Sequence, residues 1–345
     1  MARRRDMLLC RWDLDKTYLS SEFDTLRQLW RTAWERGEDK IEVPGVAAVL
    51  KALKSSAERT RRPLGLYFIS ASPPQIGKAV RDKLALDGVP YDGIVFKDQL
   101  RHIRRGEFRN LREHVGFKLR ELIRGRLAIT PPPDEMLFGD DWESDPLSYS
   151  AYADVVAGRL RGLALETLLV RIGVDPVAIP ELLALADQVE PAPLAVRRIF
   201  INLARRTPPA RLHAFGPRLV PTFNYFQTAV VLAADGVLDR TGVATVARAL
   251  TERATHGPLH LDNSLADLVR RGYVSEWRAQ SLVRPLRHEG LLPARPCRAR
   301  WRRRVERWLR RRRAELTGEA TLDYDAILAR LPHLVRAHSE EVRAT

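Results

Sequence analysis

The sequence predicts an α/β fold built on a parallel sheet and followed by an all-α region. Over residues 1–172, short apolar runs typical of strands alternate with segments of helical period, which is the pattern of a parallel sheet with crossover helices. After about residue 175, we find only helical periods broken by Pro and Gly. We therefore expect a sheet domain over residues 1–172 and a basic α-helical domain over residues 173–345.

Four strands and three helices are predicted within residues 1–172. The strands are expected at residues 7–13, 65–70, 94–97 and 135–139, where apolar runs are bounded by polar residues or turn formers. The helices are expected at residues 44–60, 73–87 and 146–160, because Pro44, Pro73 and Pro146 each suit a first helical position.

The helix ends carry further signals. Ser72 can cap the helix over residues 73–87, Gly88 can end it, and its apolar face would be Ile76, Val80 and Leu84. Asp145 is the expected cap of the helix over residues 146–160.

The chain is strongly basic, with 58 Lys and Arg against 43 Asp and Glu and a net charge of +15. Such an excess can indicate a polyanionic partner, namely nucleic acid, anionic lipid or a phosphorylated substrate. It can equally reflect a GC-rich genome, since Arg far outnumbers Lys, so the charge alone leaves both explanations open.

The composition excludes several other classes of protein. No stretch approaches the roughly 20 apolar residues of a membrane span, and the charged N-terminus does not resemble a signal peptide. The two cysteines, Cys10 and Cys297, cannot form a disulfide framework or a cysteine metal site. We expect a cytoplasmic protein without a transmembrane segment.

The most informative motif follows the first predicted strand. Asp13 and Asp15 end an apolar run and are followed by Thr17. In α/β sheets, ligands bind at the carboxyl ends of strands, where two convergent carboxylates can bind a divalent cation and one can attack phosphorus. The pattern is weak alone, because D-x-D-x-T arises by chance in many proteins.

Two further elements follow in order along the chain. Ser70 ends the second strand just before a helix, and with Ser72 it could either contact an anion or serve as ordinary helix capping. Lys118 is one of few lysines in an Arg-rich chain, and it could bind a phosphate oxygen or be a solvated helix residue.

The fourth element is a second pair of carboxylates at a strand end. Asp140 ends the strand over residues 135–139, and Asp145 follows after a turn that could bring it back beside Asp140 around a cation. Asp141 and Glu143, within that turn, are expected to face solvent or to support the ligands.

Together these four elements resemble the haloacid-dehalogenase-like phosphatase superfamily. The local sequence is most similar to the catalytic domain of the actin-patch phosphatidate phosphatases, which are related to lipins. The similar runs lie within about residues 6–172, at residues 43–46, 70–73, 117–120, 139–140 and 145–146. The resemblance implies a Rossmann-like three-layer parallel sheet. The chain departs from the family at Lys16 and at residues 141–143, which affects the expected substrate more than the chemistry.

The resemblance also implies roles for the site residues. Asp13 would be the nucleophile, and Asp15 would be the general acid and base. Mg²⁺ would be bound by Asp13, the backbone carbonyl of Asp15, and Asp140, with Asp145 supporting. Ser70 and Lys118 would hold the phosphoryl oxygens, and Thr17 would brace the loop.

Three functions remain open from the sequence. The first is a phosphomonoesterase acting on phosphatidic acid or another lipid phosphate, because residues 18–43 leave room for only a small flap over the site. The others are a phosphatase or phosphotransferase acting on nucleic-acid ends, and a non-catalytic phosphoryl-binding module. Residues 298–316 form an Arg-rich amphipathic stretch with Trp on one face, which could contact an anionic membrane, nucleic acid, or only the rest of the protein.

Overall fold

The computed structural model describes residues 7–14, 17–18, 42–70, 74, 77–96, 111–142, 144–253, 256–295 and 322–330. The strands are β1 (Leu8–Asp13), β2 (Leu64–Ser70), β3 (Gly93–Phe96), β4 (Asp134–Asp140), β5 (Val196–Asn202) and β6 (Leu219–Thr222). The helices up to β5 are α1 (Val46–Thr60), α2 (Gly77–Leu86), α3 (Leu111–Leu127), α4 (Asp145–Val156), α5 (Gly162–Ile172) and α6 (Ile179–Asp187). A 3₁₀ helix (Pro209–Phe215) precedes β6, and then come α7 (Tyr225–Ala234), α8 (Arg240–Glu252), α9 (Pro258–Arg270), α10 (Glu276–His288) and α11 (Tyr324–Arg330).

The six strands form one all-parallel sheet in the order β3-β2-β1-β4-β5-β6. The chain starts at the centre with β1, extends the sheet on one side with β2 and β3, and then returns to the other side with β4. This change of direction places a topological switch point between β1 and β4, which is where ligands bind in open α/β sheets.

The α/β fold class, the parallel sheet and the following helical region are confirmed. The four predicted strands correspond to β1 to β4 within one or two residues at each end. The helix predicted at residues 44–60 is α1, and Val80 and Leu84 on α2 are buried as expected. Ile76 and Ser72 lie outside the described residues.

The expectation that residues after about 175 contain no strand is wrong. β5 and β6 extend the sheet from this part of the chain. The pair Arg197-Arg198 interrupts the apolar pattern of β5, which is why this strand was not predicted. Arg198 can nevertheless lie against the sheet, because its guanidinium group pairs with Asp235 at 2.7 Å. β6 has only four residues and contains Pro221, which an edge strand tolerates because one side needs no donor.

The helices cover both faces of the sheet and give three layers. One core joins Trp12, Phe68 and Phe138 on the sheet to α1, α2 and α7 to α10. The other joins Leu137 and Ile199 to α3 to α6 and α11. The division at residue 172 stays a prediction, and the shared sheet and shared cores favour one folding unit.

The start of α4 differs from the expectation. Asp145 is the first residue of α4 rather than its cap, and the cap position belongs to Ser144.

None of the described helices has the length and apolar character needed to cross a membrane.

Candidate active site

The candidate site lies at the carboxyl ends of β1 and β4, on either side of the switch point. Asp13 is the last residue of β1 and Asp140 the last residue of β4, and these strands are neighbours in the sheet. Below them, the ring of Trp12 stacks on that of Phe138 with centroids 3.8 Å apart. This packed aromatic layer gives the two carboxylates a rigid base.

Three carboxylates meet at this edge. Asp13, Asp140 and Asp145 are fully buried, and one carboxylate oxygen from each lies within 4.8 Å of the others. Asp145 folds back from the start of α4, so that its Oδ2 accepts a hydrogen bond from the backbone N–H of Asp140 at 3.2 Å. The predicted convergence of Asp140 and Asp145 is therefore observed.

Gly139 makes this return possible. A Cβ atom at residue 139 would lie 2.2 Å from Oδ2 of Asp145 and 2.7 Å from its Cγ. Because both atoms belong to a short side chain at a helix start, it has little room to move aside. The site thus needs glycine here to let Asp145 approach the strand.

Lys118 on α3 joins the carboxylate cluster. Its Nζ lies 2.9 Å from Oδ1 of Asp13 and 2.5 Å from Oδ1 of Asp145, and its side chain is fully buried. The interpretation of Lys118 as a solvated helix residue is thus wrong. The ammonium of Lys118 thus bridges two of the three buried carboxylates.

Asp140 is held by groups from two loops. Its Oδ1 accepts a hydrogen bond from the backbone N–H of Trp142 at 2.6 Å, and its Oδ2 accepts one from the hydroxyl of Thr17 at 3.3 Å. Thr17 therefore connects the loop after β1 to the carboxylate at the end of β4. These contacts fix the direction of the Asp140 side chain.

Two buried tyrosines, which the sequence reasoning missed, lie beside the cluster. Tyr225 at the start of α7 donates a hydrogen bond to the carbonyl of Thr17 at 2.7 Å. Burial raises the pKa of Tyr225, and the nearby Asp140 and Asp13 raise it further. Burial likewise raises the pKa of Tyr149, whose hydroxyl donates to the carbonyl of Phe138 at 3.3 Å. Both stay neutral and act as donors.

The remaining predicted residues divide into two groups. Ser70 is buried at the end of β2, and Ile69 pairs with Asp13, so Ser70 lies at the same sheet edge as the carboxylates. Asp15, Glu143 and the stretch 298–316 lie outside the described residues. Their roles stay predictions.

The fold and the site define a class of protein. A parallel α/β sheet with buried carboxylates and a lysine at its switch point is the arrangement implied by the resemblance to haloacid-dehalogenase-like phosphatases, which are phosphoric monoester hydrolases.

The comparison with family models names the member of that class. Residues 12–166 match the model described as "Phosphatidate phosphatase APP1, catalytic domain", so this part of the chain is similar to that catalytic domain. Among curated proteins, no relative matches the chain. The matched range ends before β5, whereas Tyr225 and the last two strands come from beyond it.

Proposed function

We propose that the protein is a Mg²⁺-dependent phosphomonoester hydrolase that acts on phosphatidate or a similar lipid phosphate through an aspartyl-phosphate intermediate. The observation that carries this proposal is the buried cluster of Asp13, Asp140 and Asp145 in contact with Lys118. A protein that only bound phosphoryl groups would gain nothing from three buried carboxylates, which repel an anion.

The donor set fits a hard divalent cation. Carboxylate oxygens are the ligands that Mg²⁺ prefers, and Mg²⁺ commonly shares its coordination with substrate phosphates. Burying three carboxylates this close together is costly unless their charges are paired, and a divalent cation bound among them would lower that cost. Bound there, Mg²⁺ would neutralise charge on the phosphoryl group, with Asp13, Asp140, Asp145 and the carbonyl of Asp15 as the proposed ligands.

The chain's own groups can perform both halves of the reaction. A carboxylate oxygen of Asp13 attacks phosphorus, the bond from phosphorus to the alcohol oxygen breaks, and Asp15 gives its proton to the leaving alkoxide. Asp15 then takes a proton from water, which attacks the aspartyl-phosphate and releases inorganic phosphate and free Asp13. Lys118 and Ser70 orient the phosphoryl oxygens during both steps.

A lipid phosphate is favoured over a small metabolite. The backbone N–H of Val43 donates to the carbonyl of Tyr18 at 2.9 Å, so only the short segment 19–42 lies between the β1 loop and α1. So short an insertion is poorly suited to sealing the site around a small molecule. The name of the matched family adds phosphatidate as the leading candidate.

A substrate panel tests the proposal. The full chain and its Asp13→Asn variant are incubated with an aryl phosphate, phosphatidate in mixed micelles, and 5′- and 3′-phosphorylated oligonucleotides, each with Mg²⁺ or EDTA. We expect phosphate release from phosphatidate and the aryl phosphate, only with Mg²⁺ and only by the wild type. Selective hydrolysis of the oligonucleotides would favour the nucleic-acid alternative. No hydrolysis of any substrate would favour a non-catalytic binding module.

A further inference from the structure

The loop after β5 is attached to the turn that follows Asp140. The carboxylate of Asp141 accepts hydrogen bonds from the backbone N–H groups of Arg205 at 2.8 Å and Thr207 at 3.0 Å. The N–H of Asp141 in turn donates to the carbonyl of Asn202 at 3.2 Å. Asp141, which was expected to face solvent or support the ligands, therefore fixes a neighbouring loop.

Arg205 on this loop is stacked on Trp142. Its guanidinium carbon lies 4.2 Å from the centre of the Trp142 ring, within the range of a cation–π contact. The backbone N–H of Trp142 is bonded to Asp140, so the stacked pair is anchored directly to the carboxylate cluster. Residues 141–142, where the chain departs from the family pattern, thus place an arginine beside the site.

Further exposed side chains lie along the same edge of the sheet. Arg205 and Arg206 are both exposed, and neither is paired with a carboxylate in the part of the chain that the structure describes. Phe223, directly after β6, is 43% exposed, and Arg271 lies 5.5 Å from its ring. Since β4, β5 and β6 are adjacent and parallel, these side chains follow strand ends at the edge that carries Asp13 and Asp140.

We propose that Trp142, Arg205, Arg206 and Phe223, here named the Arg–aromatic rim, rest on the anionic surface of a phospholipid membrane. Guanidinium groups bind phosphate oxygens in a bidentate manner. Trp is enriched at the boundary between headgroups and acyl chains, and Phe is found on the apolar face of segments that lie on a membrane. A rim of this chemistry beside the site would hold the carboxylate cluster over the headgroups. The inference rests on the proposed function in one respect, namely that the substrate is a lipid of that surface.

Charge complementarity points to an anionic partner, and the exposed apolar ring of Phe223 favours a membrane over nucleic acid as that partner. The rim combines two arginines, neither of which pairs with a carboxylate of the described residues, with an exposed phenyl ring that has no polar atom. Nucleic acid also attracts arginine, and its bases stack on aromatic rings. The experiment must therefore distinguish binding to a membrane from binding to nucleic acid. The rim shares no residue with the stretch 298–316.

Vesicle co-sedimentation tests whether the Arg–aromatic rim binds a membrane, independently of substrate turnover. The full chain carrying Asp13→Asn is mixed in EDTA with one of two kinds of vesicle. The first contains phosphatidylcholine alone, and the second contains phosphatidylcholine and about one third phosphatidylserine, an anionic lipid that is not a phosphomonoester. We expect binding to the anionic vesicles. Adding Arg205→Ala and Arg206→Ala should weaken it by about fivefold for each arginine, the effect of about 1 kcal/mol per basic residue near such a surface.

A control removes one positive charge elsewhere, for comparison with the loss expected for each rim arginine. Arg61 is exposed between α1 and β2, at the opposite edge of the sheet, so Arg61→Ala should leave vesicle binding unchanged. Equal weakening by Arg61→Ala, or none by the double variant, would overturn the proposal. So would rim-dependent binding to a single-stranded oligonucleotide without binding to vesicles. Failure of the wild type to hydrolyse an aryl phosphate would instead count against the proposed function, and the vesicle result would stand.

Discussion

The hydroxyl of Tyr225 donates a hydrogen bond to the carbonyl oxygen of Thr17 at 2.7 Å, although 208 positions separate the two residues. Thr17 in turn donates its own hydroxyl hydrogen to Asp140 at 3.3 Å. The start of α7 therefore positions the loop after β1, which follows the proposed nucleophile Asp13. A helix from the second half of the chain completes a site whose proposed catalytic residues all come from the first half.

Replacing Tyr225 with Phe should lower activity with only a small loss of stability. The change removes one buried hydrogen bond worth about 1 kcal/mol and leaves the ring packed near Trp12, 6.0 Å between centroids. If that energy serves to orient the loop, turnover of an aryl phosphate should fall about fivefold. Unchanged kinetics would show that the loop keeps its position without Tyr225.

A second tyrosine provides the control. The hydroxyl of Tyr273 donates to the carbonyl of Leu219, at the opposite end of β6 from the site. Tyr273→Phe removes a similar hydrogen bond without touching the loop, so it should leave the kinetics as in the wild type while the melting temperature changes by a similar amount.

The sequence allowed much of the site to be predicted because its groups follow strand ends. Asp13, Ser70 and Asp140 each end an apolar run, and the carboxyl ends of parallel strands share one edge. Lys118 stood out only by residue type, and its burial, which excludes a solvated lysine, could not be predicted from the sequence. The buried pair that Lys118 makes with Asp13 and Asp145 depends on how α3 packs, which no local pattern encodes.

Other features could not be predicted for identifiable physical reasons. β5 was missed because Arg197 and Arg198 break its apolar run, and the pairing of Arg198 with Asp235 that permits burial joins distant residues. Tyr225 belongs to no motif of the strand ends, so no sequence signal linked it to the site. Its role arises because α7 packs on the face of the sheet that carries Trp12.

Gly139→Ala should disable the site while leaving the fold intact. The added methyl group would lie 2.2 Å from Oδ2 of Asp145, so Asp145 must move away from Asp140 and Lys118. A displacement near 1 Å in such a constellation costs about 100-fold in rate, and we expect a loss of at least that size in aryl phosphate hydrolysis. The stabilisation by Mg²⁺, measured as a shift in melting temperature, should shrink as well.

Gly257→Ala is the matched control for this substitution. Gly257 precedes α9, and a Cβ atom there would meet nothing within 4 Å. This variant should keep wild-type activity and wild-type stabilisation by Mg²⁺. If Gly139→Ala behaved like Gly257→Ala, the tight approach of Asp145 to the strand would be irrelevant to function.

Lys118→Met should make the stability of the fold depend on a divalent cation. The substitution removes the ammonium that contacts Asp13 and Asp145, and loss of one partner from a buried ion pair costs about 3–5 kcal/mol. In EDTA, we expect a large fall in the urea midpoint relative to the wild type. Mg²⁺ should restore more stability to the variant than it adds to the wild type, because it then supplies positive charge beside Asp13 and Asp145 in place of the lost ammonium. A fall of equal size with and without Mg²⁺ would argue against a shared cation site.

The last prediction concerns the pH dependence of folding at Asp239, far from the carboxylate cluster. Asp239 caps α8 by accepting a hydrogen bond from the N–H of Gly242 at 2.8 Å, and it pairs with Arg59 at 2.7 Å. Burial alone would raise the pKa of Asp239, but the hydrogen bonds from Arg59 and Gly242 outweigh it and hold this pKa below its ordinary value. A carboxyl group whose pKa is lowered by folding stabilises the folded state above its unfolded pKa, which is about 3.9. That stability is lost as the pH falls through the lower folded value.

Asp239→Ala should therefore lower the free energy of unfolding by about 1 kcal/mol at pH 7, the usual worth of an N-cap. The difference from the wild type should shrink as the pH falls below about 3.9, because the wild-type carboxylate then becomes protonated. Asp239→Asn keeps a capping oxygen and loses only the charge, so its urea midpoint at pH 7 should lie between those of the wild type and Asp239→Ala. A difference between wild type and Asp239→Ala that stays constant from pH 7 to pH 3 would show that the charge on Asp239 contributes nothing to stability.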